Sequence, residues 1–214
     1  MSALQSSTTV NTPNLNGYSF LDTNAEPPEI NDGHLTFLSR YTGIDDLDVL
    51  RKGVIEVWRE AREKHHVYKC IETFMFLIPA IQFHPSYRTL LNTLSDRQSS
   101  HQPAPYIADV GCCFGTDVRR LIYDGVPAEN IVGVDLHDGY WNIGKRLFED
   151  GERIEGVKTV WRDMASGEEG AVEREGLKGR FDFVVAMAVL HVFSKEQQRI
   201  FLANILQLLT PGGT

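Results

Sequence analysis

Residues 106–115 read Tyr-Ile-Ala-Asp-Val-Gly-Cys-Cys-Phe-Gly, a short apolar run that closes on an acid and a glycine-bounded turn. This junction constrains the fold more than any other stretch of the chain. Ile107, Ala108 and Val110 supply a buried strand, and Asp109, Gly111 and Gly115 supply a turn into a helix that starts at Thr116. Glycine reaches backbone angles closed to other residues and lets the main chain approach a ligand, so the turn suits a nucleotide-type cofactor. Downstream the signals alternate. Strands are predicted over 106–110, 131–135, 157–161 and 181–187, and helices over 116–124, 140–149, 168–176 and 195–209. Strands alternating with helices predict an α/β domain with a parallel sheet, right-handed crossovers and a ligand crevice beyond the carboxyl ends of the strands.

The segment before this domain reads differently. Residues 1–33 are polar, with Pro13, Pro27 and Pro28, and are expected to form a mobile tail in which Tyr18, Phe20 and Leu21 can dock locally. Leu47, Leu50, Val54, Val57 and Trp58 recur at helical spacing between Asp45 and Lys64. A second helix is expected over Val67–Ile81, ending near Pro79, and a third, short one over Ser86–Leu94. Residues 98–105 read as a linker. The expected organisation is a tail (1–33), a helical extension (34–104) and the α/β domain (105–214).

Charge and cysteine content narrow the function. A net charge of −8 without a Lys/Arg stripe argues against a nucleic-acid partner. Three cysteines, two of them adjacent, do not form a disulfide framework or a Cys-x-x-Cys metal site, so no metal is expected. The first twenty residues lack the basic start and apolar centre of a secretory signal, and no stretch approaches membrane-spanning length. These features predict a soluble, cytoplasmic protein with no membrane partner. His65 and His66, in a charged helical stretch, read as solvated.

Three acids close three successive strands: Asp109, Asp135 after Ile-Val-Gly-Val, and Asp163 after Val-Trp-Arg. A carboxylate on the second strand suits a ribose diol, because vicinal hydroxyls donate and a carboxylate accepts. Asp163 is placed to accept from an exocyclic adenine amine. Asp109 either touches the ligand or holds the loop through its amides. His191, after the fourth strand, is either a substrate contact (or base) or a helix-start residue. Tyr140 and Trp141 either flank the cofactor or pack in the core.

The glycine spacing separates cofactor classes. A dinucleotide fingerprint places Gly at positions here held by Gly111, Cys113 and Thr116, a poor match. Gly111, Cys113 and Gly115 instead follow the Gly-x-Gly-x-Gly spacing of class I S-adenosylmethionine-dependent methyltransferases, with cysteine in the middle slot. Asp135, Arg162-Asp163-Met164 and Phe181–Ala186 followed by Val189-Leu190-His191 strengthen the resemblance, which spans roughly residues 105–214. The motif Asp109–Arg120, with Tyr123–Pro127, resembles more narrowly the fungal secondary-metabolite methyltransferases of meroterpenoid pathways, some of which esterify a carboxylate. Tyr41–Ile44 and the Phe74–Ile81 stretch also suit that group.

The resemblance implies a Rossmann-like sheet binding S-adenosylmethionine. Gly111 and its neighbours would hold the methionine portion, Asp135 and Leu136 would face the ribose, and Asp163 and Met164 the adenine. A small-molecule acceptor is implied, O-methylated and more readily at a carboxylate, which is already ionised, than at a phenol. The aromatic extension residues Trp58, Tyr68, Phe74 and Phe76 would supply a lid or an interface with the sheet. Leu208–Gly213 resembles the turn before the family's fifth strand, so the resemblance implies that later strands are missing and that the fourth has an open edge. The alternatives are a non-catalytic cofactor-binding fragment and a nicotinamide-dependent oxidoreductase. A homodimer is left open.

Overall fold

A computed structural model describes residues 26–65, 68–167, 172 and 175–214. Four parallel strands form one sheet in the order β3-β2-β1-β4: β1 (Ile107–Val110), β2 (Ile131–Asp135), β3 (Lys158–Trp161) and β4 (Phe183–Val185). β1 is buried along its whole length, and β2 is buried as far as Val134. Such continuous apolar runs are the mark of strands covered on both faces. Ile107 pairs with Ile131 on one side and Phe183 on the other, so β1 is the centre of the sheet. The order reverses between β1 and β4, which opens a crevice at their carboxyl ends.

Helices α5 (Thr116–Tyr123), α6 (Gly139–Leu147) and α7 (Lys195–Leu208) follow the strands. Ser194 caps α7 in a reciprocal box with Gln197. The helix expected over 168–176 falls mostly outside the described residues, as do Tyr18, Phe20, Leu21 and His66. Thr214 donates to Asp182 O at 2.9 Å and accepts from Val184 N–H at 2.8 Å, so part of the β4 edge expected to be open is hydrogen-bonded.

The extension contains α1 (Asp32–Thr42), α2 (Leu47–Lys64), α3 (Lys69–Glu72) and α4 (Ser86–Ser99). Four expectations need correction here. The tail reading fails for 30–33, because Ile30 is buried and α1 starts at Asp32 behind a capping box of Asn31 and His34. The single helix expected over 67–81 is broken into the one turn of α3 and two 3₁₀ turns, Met75–Leu77 and Ala80–Phe83. Phe74, at φ 56°, leaves the helical region, and its side chain is buried beside Trp58 with ring centroids 5.9 Å apart. The helix expected over 86–94 continues to Ser99, into the start of the predicted linker, and its Arg97 pairs with Asp182 at 2.6 Å. Finally, His65 is not simply solvated: its ring stacks on His137 at 5.5 Å and tilts against Tyr140 at 5.1 Å.

α2 follows its predicted range, capped by Asp46, whose carboxylate accepts from the amides of Asp48 and Val49. Its buried face, Leu50, Val54, Val57, Trp58 and Ala61, joins α1 and the Phe74–Leu77 turn in one core that also takes in Phe114 and Tyr140 of the α/β domain. The extension and the sheet therefore share a core. No helix among the described residues is long and apolar enough to cross a membrane.

Candidate active site

A cleft of about 210 Å³ opens at the carboxyl ends of the strands, and it draws walls from the segments following all four. Asp109, Gly111, Cys113, Asp135, Leu136, Asp163, Met164 and His191 all line it. Gly115 lies behind the wall, where it caps α5 with a left-handed backbone at φ 73°.

The loop after β1 is held by its neighbour strand. The amides of Gly111 and Cys112 donate to Val134 O at 2.7 and 3.2 Å, and the Cys113 amide donates to Asp135 Oδ2 at 2.7 Å. Asp135 Oδ1 accepts from the Leu136 amide, also at 2.7 Å. None of those three loop amides goes to Asp109, so the loop-holding role considered for Asp109 falls to Val134 and Asp135. A carboxylate has about four acceptor positions, which leaves Asp135 capacity for a diol. Burial raises the Asp135 pKa, and the two amides offset only part of that rise.

Asp109 is 2 % exposed, and its Oδ2 has no hydrogen-bond partner. A buried carboxyl oxygen without a partner is costly, and burial together with the charges of Asp117 and Asp135 holds its pKa well above the carboxylate range. Asp117, in the first turn of α5, also lines the cleft; its Oδ1 accepts from the Ile81 amide at 3.0 Å, and burial pushes its pKa to about 6. An orphaned acid oxygen beside a second acid fits a ligand that brings positive charge. Asp163 is exposed and caps its own turn, accepting from the Ala165 amide at 2.8 Å, while Met164 behind it is buried.

The loop takes positive φ at alternate residues: Gly111 at 83°, Cys113 at 49° and Gly115 at 73°. A Cβ on Gly115 would stand 2.5 Å from the Trp141 ring, which fixes glycine there for space as well as angle. Cys112 packs inward, its Sγ 3.2 Å from where a Cβ on Gly133 would sit. Tyr140 and Trp141 are buried at 1 % and 3 % exposure and do not line the cleft, so they are core residues.

The alternation, the crevice and the glycine loop now stand on one molecule. The family described as "Methyltransferase domain" matches residues 107–213. The chain belongs to that family. Among similar proteins, "O-methyltransferase phiE" of Fungal sp. (strain ATCC 74256) is 33 % identical over 163 residues, covering 75 % of this chain and 51 % of the relative. "O-methyltransferase atr3" of Stereocaulon alpinum is 31 % identical over 187 residues, 87 % of this chain and 51 % of the relative. "Methyltransferase ausD" of Penicillium brasilianum is 33 % identical over 142 residues, 66 % of this chain and 48 % of the relative. The chain spans about half the length of the curated relatives it matches.

The atr3 match is longer than the methyltransferase domain and so takes in part of the helical extension. The structure shows what that extension does for the domain. Tyr68, Cys70, Met75, Phe76, Ile78 and Ala80 roof the cleft. Of the four aromatic residues considered for a lid, Tyr68 and Phe76 line the cleft, whereas Trp58 and Phe74 are core. Phe76 stacks on Phe114 of the loop at 4.2 Å, and the Thr116 hydroxyl donates to Phe76 O. Burial raises the Tyr68 pKa to about 12, which keeps its hydroxyl neutral and able to donate.

Behind the loop lies a buried ion pair that sequence reasoning missed. Arg119 of α5 grips Asp150 through Nε at 2.7 Å and Nη2 at 2.9 Å, and its Nη1 donates to Phe114 O and Gly115 O at 2.6 and 3.1 Å. Tyr41 of α1 donates to Asp150 Oδ2 at 2.8 Å. The network runs from the first helix of the extension to the backbone of the glycine loop. Asp117 was also missed; its signal was a carboxylate in the first turn of a helix whose N-terminus faces the crevice.

Proposed function

We propose that this methyltransferase domain binds S-adenosylmethionine in the cleft and transfers its methyl group to an oxygen of a small, largely apolar metabolite. The observation that carries the reading is the convergence of three strand-end acids, Asp109, Asp135 and Asp163, with a glycine loop under an apolar roof. In this reading Asp135 accepts from the ribose hydroxyls, Asp163 and Met164 meet the adenine, and Gly111 to Cys113 lie along the methionine portion. Bound there, the cofactor supplies a methyl group already activated on a sulfonium.

The protein's remaining work is to align the acceptor and exclude water. Met75, Phe76, Ile78, Met187, Val189 and Phe193 present an apolar surface for the acceptor. His191, on the exposed 3₁₀ turn Leu190–Val192, is the imidazole at the rim and the proposed acceptor contact. A carboxylate acceptor needs no base at neutral pH, whereas a phenol with a pKa near 10 does. Carboxyl methylation in a terpenoid or meroterpenoid pathway is therefore the finer proposal. The relatives whose names print an O-methyltransferase activity support the oxygen acceptor.

Calorimetric titration with S-adenosylmethionine and with NAD tests the cofactor reading. Binding of the first, lost in Asp135→Ala, is expected; stabilisation by NAD alone would overturn it. Incubation with panels of terpenoid carboxylic acids and phenols, read by mass spectrometry, tests the acceptor. A gain of one methyl on the acids alone is the expected product, and methylated phenols with unmodified acids would refute the carboxyl assignment.

A further inference from the structure

Asp109, in β1, and Asp117, in the first turn of α5, line one cleft, and the charge of Asp117 acts on Asp109. Asp109 is nine-tenths buried and more, with Oδ2 unpartnered. Asp117 is tied to the helical extension through the Ile81 amide, which donates to its Oδ1 at 3.0 Å. Of the nearby guanidinium groups, Arg119 pairs with Asp150 and Arg120 with Asp124, while Arg162 pairs with Glu175 and also lines the cleft. The groups that face the pair from adjoining elements are the Asp135 carboxyl at the end of β2, the buried Cys112 thiol in the loop, and the Ile81 and Ala80 amides of the roof. Of these, only the amides favour ionisation.

Two carboxyl groups in such a place cannot both ionise cheaply. We propose that Asp109 and Asp117 hold one proton between them in the ligand-free protein and exchange it for the positive charge on the methionine half of the cofactor, so that cofactor binding releases a proton. The inference rests on the cofactor reading above. It assigns Asp117 a ligand role and makes affinity depend on pH. The raised pKa of Asp109 and the value of about 6 for Asp117 agree with a shared proton near neutrality.

The sign follows from linkage. The pair binds a proton more tightly without the cation than with it, so the cation binds less tightly as the pH falls. The complete chain is titrated calorimetrically at pH 7 in phosphate and in Tris, with S-adenosylmethionine, S-adenosylhomocysteine and 5′-methylthioadenosine. The first ligand carries a sulfonium and an ammonium, the second an ammonium alone, and the third neither.

The expected result is a buffer-dependent heat reporting release of up to about one proton for S-adenosylmethionine and none for 5′-methylthioadenosine. Its Kd should rise by up to about tenfold per pH unit as the pH falls from 8 to 5.5. Equal release with S-adenosylhomocysteine assigns the exchange to the ammonium; release with S-adenosylmethionine alone assigns it to the sulfonium. In Asp117→Asn, with an unchanged circular dichroism spectrum, the release shrinks and the pH dependence flattens. If that variant does not fold, the wild-type titrations decide alone. A Kd independent of pH, or equal proton release with 5′-methylthioadenosine, overturns the exchange while leaving the cofactor reading intact. Failure of all three ligands to bind overturns both.

Discussion

Asp150→Ala tests whether the extension helps to hold the glycine loop. The Arg119 and Asp150 side chains are 0 % and 2 % exposed, so removal of the acid strands a guanidinium in the core. Breaking a buried pair in this way costs about 3–5 kcal/mol. Tyr41 loses the acceptor of its 2.8 Å hydrogen bond, which adds about 1 kcal/mol. The sum, about 4–6 kcal/mol, is a large share of the roughly 5–15 kcal/mol that stabilises an ordinary domain. At about 2–4 °C per kcal/mol for a chain of this size, the melting temperature should fall by about 10–20 °C.

Urea unfolding followed by tryptophan fluorescence gives the free energy, and a loss below about 1 kcal/mol would refute the reasoning. The double replacement Arg119→Met with Asp150→Leu separates stability from function. Without a stranded charge it should recover much of the lost stability. The Phe114 carbonyl would lose its side-chain donor and the Gly115 carbonyl would keep only the backbone amide of residue 119, so affinity for S-adenosylmethionine should be reduced. A stable double variant that binds the cofactor as the wild type does would show that Arg119 braces the core and not the loop.

Gly115→Ala should weaken cofactor binding by more than tenfold in calorimetry, because a left-handed φ of 73° and a Trp141 ring 2.5 Å from the new Cβ both oppose it. Cys113→Gly removes a side chain from a φ of 49°, which relieves about 1 kcal/mol of strain but adds comparable freedom to the unfolded chain. Urea unfolding should therefore change by less than about 1 kcal/mol with binding retained, and a loss above about 2 kcal/mol would show that the thiol itself is needed. Arg97 holds the Asp182 carboxyl below its ordinary range, with burial opposing. A depressed folded pKa gives stability present above the unfolded value, near 3.9, and lost as the pH falls through the folded one. Asp182→Asn should thus lower stability by about 1 kcal/mol at pH 7, and unfolding curves of the two proteins should converge as the pH falls below the ordinary carboxylate range.

The elements that were readable in the sequence are those with one kind of neighbour. β1 and β2 are covered on both faces, so their apolar runs mark them, and α2 presents a single apolar stripe to a single core. Residues 68–81 face two surfaces at once. Ile71, Phe74 and Leu77 fill the core, while Tyr68, Cys70, Met75 and Ile78 line the cleft, so an apolar stretch that looked helical is a turn-rich roof. The strand expected over 181–187 is cut short for a related reason. Met187 to Val189 leave the ladder for the cleft rim, with Ala188 at φ 51°. α1 was hidden because His34 replaces the acid or amide that usually completes a capping box. The strand-end acids were legible because topology alone brings strand ends together. Arg119 acts with Asp150, which also accepts from Tyr41 of α1, and no local pattern records partners so far apart in the chain.

The middle position of the glycine loop shows how space and angle act separately. Three alternate residues adopt positive φ, yet only two are glycine. At Gly111 a Cβ would come within 2.9 Å of Val189, and at Gly115 within 2.5 Å of Trp141 and 2.8 Å of Arg119. Those positions forbid a side chain outright. Cys113 instead points its side chain toward the cleft and the roof, where it meets Cys70, and bears only the cost of the angle. That cost, about 1–2 kcal/mol, is within what neighbouring contacts can offset. A departure from the family's spacing at this slot is therefore compatible with an intact loop. The same departure at either flanking position would remove the loop.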